Sequence, residues 1–265
     1  MPSELIEFWQ RFNPSSVPFA HPDDWLVLRK NGEQYIHRER QGFDDFVSSQ
    51  QFGDFADTKL HLSLLPIPYR GNLRAAEIVI LLLNPGFSLT DYYAETRMPA
   101  FRARLEEMLA QNFERIDFPF LWLDPEYCWH AGFVWWERKL RDVVVLIAEL
   151  KFGGRYLDAL RDISRRLAYV ELVPYHSRSF KAHRLIQQLP SVNAARRFAQ
   201  NGLTDAANKG DKTIIVTRQE REWAIPKGTR NLVVYKGGLA RGASLGPNTP
   251  GGKEILARYG IDANR

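Results

Sequence analysis

Leu81-Leu82-Leu83-Asn84-Pro85-Gly86-Phe87 is the stretch that decides how this chain is read. It continues Glu77-Ile78-Val79-Ile80, so an unbroken apolar run from Ile78 stops abruptly at Asn-Pro-Gly. Bounded by Gly71-Asn72 on one side and Pro85-Gly86 on the other, such a run reads as a strand over 77–83 buried on both faces. A polar Asn at the carboxyl end of that strand stands where open α/β sheets place their ligands. Pro85 stiffens the exit, and Gly86 permits a sharp turn or a closely lying ligand. The plainer reading is a strand followed by an ordinary turn, with Asn84 as a turn-capping amide.

Working outward, the apolar pattern predicts three more strands over 169–174, 213–217 and 231–235. Helices are expected over 4–12, 100–113, 136–150, 155–167, 180–189 and 192–200. A Gly/Pro-rich loop is expected over 237–252 and a last helix from Lys253. Strands alternating with helical segments mean a mostly parallel sheet covered on both faces. Residues 1–69 read as an irregular N-terminal extension packed on a main domain of residues 70–265. Within the extension, Leu60, Leu62 and Leu64 alternate with His61 and Ser63 as an edge strand would.

The 265 residues carry a formal charge of +5, unevenly spread. Arg178 to Arg241 holds 13 Lys and Arg against 4 Asp and Glu, which leaves the remainder net negative. A basic region beside an acidic remainder suits a one-sided polyanion surface and points to DNA or RNA; its alternative is a solvated basic face. Cys128 is the single cysteine, so an intramolecular disulfide and a cysteine-rich zinc cluster are both excluded. Met1 to Arg11 carries Glu4, Glu7 and Arg11 without a long apolar core, and no stretch reaches the length of a membrane span. The expectation is a soluble cytoplasmic protein, nucleoid-associated in a prokaryote, with no membrane and no obligate protein partner.

Four expected strand ends carry polar or glycine-rich sequence: Asn84-Pro85-Gly86, Glu171-Leu172-Val173-Pro174-Tyr175-His176, Thr217-Arg218, and Lys236-Gly237-Gly238 with its long loop. Taken together they resemble the uracil-DNA glycosylase superfamily over residues 70–260. The resemblance implies a three-layer α/β/α sandwich around a central four-stranded parallel sheet, with the cleft at the carboxyl ends of the strands. The superfamily motif Gly-hydrophobic-Asn-Pro-Gly appears here as Leu82-Leu83-Asn84-Pro85-Gly86, with Leu82 in place of the first glycine. By resemblance, Asn84 positions the water that attacks the sugar C1′. An amide orients water but is a poor base, so such catalysis rests on positioning and electrostatic stabilisation.

Where uracil-specific relatives place a base-reading Asn, this chain has Glu171. An ionised carboxylate only accepts hydrogen bonds, so it suits an exocyclic amine and repels uracil O4. Its alternative is to face a helix or a neighbouring Arg. Phe87 and then Tyr92, in the loop after the motif, are the expected stacking surfaces for a flipped base, unless they close the core beneath that loop. The superfamily's late His-containing motif is missing, since the last histidine is His183. His176 is the substitute candidate, its alternative being a structural histidine. Arg218, Lys236, Arg241, Ser244 and Asn248 are the expected DNA contacts; Arg218 and Lys236 could instead pair with Glu220 or Glu222, and the 238–252 loop could be a plain surface loop.

The resemblance thus implies a monofunctional DNA glycosylase, without metal or other cofactor, acting in repair or in defence against modified DNA. A non-catalytic DNA-binding protein of the same fold and a nucleoside or nucleotide hydrolase are the competing readings. The missing His motif favours the first competitor and the retained Asn84-Pro85-Gly86 argues against it, while the basic excess argues against the second. No G-x-G-x-x-G follows the first strand and no G-x-x-x-x-G-K-[ST] is present, which argues against a dinucleotide-binding oxidoreductase and a P-loop NTPase.

Overall fold

The computed structural model describes residues 3–37 and 42–262. The N-terminal part runs through helices α1 (Ser3–Gln10) and α2 (Pro22–Asn31), strand β1 (Ile36–His37), helix α3 (Phe43–Ser48), and strands β2 (Leu60–His61) and β3 (Tyr69–Arg70). Strand β4 (Ile78–Leu82) is followed by α4 (Leu89–Arg97), α5 (Pro99–Ala110), α6 (Ala131–Lys151) and α7 (Tyr156–Arg166). Strand β5 (Leu167–Glu171), α8 (His183–Ile186), α9 (Pro190–Phe198), α10 (Thr204–Lys209) and β6 (Thr213–Val216) come next. The chain closes through α11 (Glu220–Trp223), β7 (Leu232–Val234), α12 (Gly237–Gly242) and α13 (Pro250–Arg258).

Helices flank a central sheet whose strand order is β3-β5-β4-β6-β7. β4 and β6 pair in parallel, with Ile78 opposite Thr213 and Leu81 opposite Val216, and β6 continues in parallel to β7. Glu77 N donates to Arg166 O at one end of the β4–β5 pair and Val173 N to Leu83 O at the other, so β5 runs the same way. The carboxyl ends of β4, β5, β6 and β7 therefore share one edge. All residues of β4, β5 and β6 are buried, as a parallel sheet covered on both faces requires.

The sheet has five strands, not the four expected. β3 is the addition: Ile67 N donates to Pro174 O and Glu171 N to Pro68 O, an antiparallel pattern at the edge beside β5. Pro66 and Pro68 mask it in the sequence, because proline is confined to sheet edges. Gly71 ends it at φ +85, where a Cβ would lie 2.4 Å from Leu167 O. The short ribbon β1–β2 is also parallel, with His37 opposite His61.

Other differences from expectation have local causes. Tyr92 and Tyr93 lie on α4 and not in a loop, because Ser88 and Asp91 close a capping box that starts a helix there. α6 begins at Ala131 because His130 Nδ1 accepts from Gly132 N. The expected loop after β7 is shorter: α12 occupies Gly237–Gly242, and α13 starts at Pro250 with Thr249 as its cap. The expected edge strand near Leu60–Leu64 is limited to β2. Among the described residues, no helix is long and apolar enough to cross a membrane.

The chain forms two compact units. One comprises Met1–Tyr69, Leu83–Asn112 and Glu171–Phe198; the other comprises Arg70–Leu82, Phe113–Val170 and Ala199–Arg265. In the first, Asp24 on α2 ties two elements together: its Oδ1 accepts from Ser191 N at the start of α9, and its Oδ2 from Tyr175 Oη at 2.6 Å. In the second, α6 lies on β5 through the stacked rings of Trp136 and Tyr169, 5.2 Å apart.

Candidate active site at the Asn84 turn

The end of β4 and the end of β5 leave the sheet side by side, and their next residues meet. Ser177 N donates to Pro85 O at 3.3 Å, so Asn84-Pro85-Gly86 and Tyr175-His176-Ser177 form one paired turn. Asn84, half-buried, uses its side-chain nitrogen on three acceptors: Pro85 O (2.9 Å), Ser177 Oγ (2.9 Å) and Tyr175 O (3.3 Å). Its Oδ1 accepts no hydrogen bond from the described residues. The amide is thus held in one orientation, with the carbonyl oxygen left to accept from something else. His176, buried, lies in the same turn, its Nδ1 2.8 Å from Gly86 O. A carbonyl only accepts, so Nδ1–H of His176 is the donor in this contact. His176 O accepts from His61 N, an isolated bridge that joins this turn to β2.

Phe87 continues the turn and is half-buried. Its ring stacks on His61 at 4.3 Å and 3°, and the Arg178 guanidinium lies 5.0 Å from its centroid. Arg178 also covers Phe55, which is 80% exposed, at 5.2 Å. Tyr92 is fully buried, stacked on Phe46 at 4.4 Å in a cluster with Leu64, and its hydroxyl lies 3.2 Å from His61 Nδ1. Burial pushes the Tyr92 phenol above its ordinary range. Its ring therefore supports Phe87 from within the core. Glu171 is buried at the end of β5, where its N–H donates to Pro68 O.

Asn84, His176, Phe87, Tyr92 and Glu171 all belong to the first unit, and Arg218, Lys236, Arg241, Ser244 and Asn248 to the second. Each of these last five is exposed. Arg218 Nη2 donates to Arg241 O at 3.2 Å, and Lys139 Nζ on α6 donates to Gly242 O. Burial, then Arg218 and Arg138, push the Lys139 ammonium below its ordinary range, so these cations share one patch. Ser244 O accepts from Tyr235 Oη at 2.6 Å, which fixes the loop after α12. Among the described residues, neither Arg218 nor Lys236 forms an ion pair with Glu220 or Glu222.

Several residues of these groups escape a sequence reading. Ser177 matters because it accepts from Asn84, and Arg178 because it covers Phe87; Lys139 joins the cations from a distant helix. His37, Asp57 and His61 form a further cluster in the first unit. His37 Nε2 lies 3.0 Å and His61 Nε2 3.1 Å from Asp57 Oδ2, and the three donor atoms lie within 4.8 Å of one another. Burial alone would raise the Asp57 carboxyl, but bonds from His61, the Lys59 N–H and His37 outweigh it and hold the group below the usual carboxylate range. Burial holds the His37 imidazole below its ordinary value, against the pull of Asp57. The spacing of residues 37, 57 and 61 matches no motif, so only the pairing of β1 with β2 reveals the cluster. No protein-family model, curated protein or solved structure matches the chain.

Proposed function

We propose that this protein is a monofunctional DNA glycosylase with a uracil-DNA glycosylase-like arrangement of its α/β layers. The observation that carries the reading is the side chain of Asn84. It stands at the carboxyl end of a central parallel strand with its amide nitrogen committed to three protein acceptors and its Oδ1 uncommitted. A carbonyl oxygen fixed in this way accepts a hydrogen bond from a water and aims the water's lone pair. The water oxygen bonds to C1′, the C1′–N bond breaks, the base leaves with the electron pair, and the proton shed by the water ends on the departed base. The pre-set orientation removes the entropy of aligning the nucleophile before reaction.

In this reading Ser177 is a positioning residue, and His176, held through Nδ1 on Gly86 O, is the proton-exchanging group of the same turn. Phe87 offers an aromatic surface to the flipped base, and Glu171 accepts from an exocyclic amine on it. Arg218, Lys236, Arg241, Ser244 and Asn248 hold phosphates, which position the strand without reading its sequence.

The test is an abasic-site assay over duplex and single-stranded DNA bearing natural, deaminated and modified bases. The wild type is expected to release a base and leave an alkali-labile site. Asn84→Ala should lower the rate by roughly 100- to 1,000-fold, the usual cost of losing a transition-state hydrogen-bonding group, with DNA affinity retained. Glu171→Gln should shift the ratio of kcat/KM values from amino-bearing toward oxo-bearing bases. DNA binding without excision on any substrate would instead favour a non-catalytic DNA-binding protein, and activity on free nucleosides alone would favour a nucleoside hydrolase.

A further inference from the structure

The geometry points to a divalent transition-metal site formed by His37 Nε2, Asp57 Oδ2 and His61 Nε2, beside the Asn84 turn and independent of the glycosylase reading. The backbone builds it. Parallel pairing sets His37 opposite His61, and facing residues of paired strands project to the same side of the ribbon. The imidazole centroids are 5.0 Å apart. Asp57 sits four residues before His61, in a turn closed by Asp57 N to Asp54 O and by Lys59 N to Asp57 Oδ1. That turn brings Asp57 Oδ2 back to both Nε2 atoms.

The dimensions suit a metal. Bonds of about 2.1 Å to imidazole nitrogen and carboxylate oxygen imply ligand–ligand edges of about 3.0 Å in an octahedron and about 3.4 Å in a tetrahedron. The two edges here are 3.0 and 3.1 Å. A cation replaces the His37–Asp57 hydrogen bond and the close His61–Asp57 contact with small side-chain shifts. The cluster is also screened from water: the side chains of His61, Asp57 and His37 are 1%, 6% and 14% exposed.

Support around the ligands follows the pattern of metal sites. His61 Nδ1 lies 3.2 Å from the Tyr92 hydroxyl, which can accept from Nδ1–H and so leave the Nε2 lone pair for a metal. The Lys59 N–H fixes the second oxygen of Asp57. Two histidines and one carboxylate suit zinc, manganese or iron(II), and three protein ligands leave at least one coordination position for water or an oxygen of a ligand. Because the ring of His61 stacks on Phe87 and its backbone N–H holds His176, a bound metal would also pin the Phe87–His176 side of the Asn84 turn.

The experiment uses the full chain without a histidine tag, carrying Cys128→Ser to remove the exposed thiol as a ligand. After chelator treatment the protein is titrated with Zn2+ by calorimetry, and with Co2+ to read the visible bands of the bound ion. One equivalent should bind, and the Tm should rise with free Zn2+ as linkage requires. His37→Gln, at the least buried ligand, and Asp57→Asn should each weaken binding at least tenfold while the circular dichroism spectrum stays native. If a variant fails to fold, the Zn2+ stoichiometry and Co2+ spectrum of the otherwise unaltered chain decide. A folded protein with no stoichiometric Zn2+ binding at micromolar concentration, a Co2+ spectrum without nitrogen–oxygen ligation, or unaltered affinity in both folded variants would overturn the assignment. Excision activity does not enter these readouts, so this site and the glycosylase reading fail separately.

Discussion

Removing a single oxygen, in Tyr175→Phe, tests the support beneath the Asn84 turn. The Tyr175 hydroxyl is buried, donates to Asp24 Oδ2 at 2.6 Å and accepts from His21 N at 3.2 Å. The variant leaves the ring packing intact and orphans both groups. Losing a hydrogen bond to an ionised group costs about 1.5–3 kcal/mol, and an unsatisfied buried N–H about 1–3 kcal/mol. Together they predict a loss of about 2.5–6 kcal/mol. With a urea m-value of about 2–3 kcal/mol/M, the midpoint should fall by about 1–3 M. Hydrogen exchange at the Ser191 amide, which is bonded to the other oxygen of Asp24, should report the same loss locally.

The loss should also depend on pH with a defined sign. Burial pushes the Asp24 carboxyl up to about 6, and the bonds from Ser191 and Tyr175 oppose that rise. A carboxyl whose folded pKa exceeds its unfolded value binds more protons when folded, so this group's contribution to stability is present below the unfolded value of 3.8 and is lost as pH rises toward 6. Without the Tyr175 hydroxyl the folded pKa rises further and the decline continues to higher pH. The gap between wild type and variant should therefore be smaller at about pH 5 than at about pH 8. An unaltered urea midpoint, or a gap that is flat or reversed across this range, would refute the reasoning.

Two further outcomes follow from the second unit. On the proposed function, duplex binding should weaken with salt at a slope of about −0.9 per neutralised phosphate, and Arg218→Glu or Arg241→Glu should flatten that slope by about one without altering base preference; fluorescence anisotropy over a salt series checks it. Gly252→Ala should destabilise by about 3 kcal/mol or more, because its Cβ would lie 1.9 Å from Gly246 O, a backbone atom that cannot rotate away; chemical denaturation showing less than about 0.5 kcal/mol would contradict the packing at the start of α13.

Interactions local in the chain were legible before the structure. The apolar runs that became β4, β5 and β6 are continuous because both faces of a parallel sheet are covered, and the end of β4 before Asn84 follows from the first polar residue of its run; β5 is Leu167–Glu171 and not the expected 169–174. The expected helices leave out α2 and α4, although their starting signals are local: His21-Pro22-Asp23 and Ser88 with Asp91 satisfy orphan N–H groups or pre-set φ within a few residues. What only tertiary structure decided joins residues with no local dependence on one another. Edge strand β3 exists because Pro68 O and Ile67 N find partners on a segment some hundred residues later. Tyr92 is buried because α4 packs it on Phe46, although its neighbour Tyr93 is 44% exposed. The orientation of Asn84 depends on Tyr175 and Ser177, and the His37–Asp57–His61 cluster on a two-residue parallel ribbon. Side-chain periodicity encodes which face of an element turns inward; it carries no record of which distant element supplies the partner atom, and hydrogen-bond geometry across the fold makes that choice.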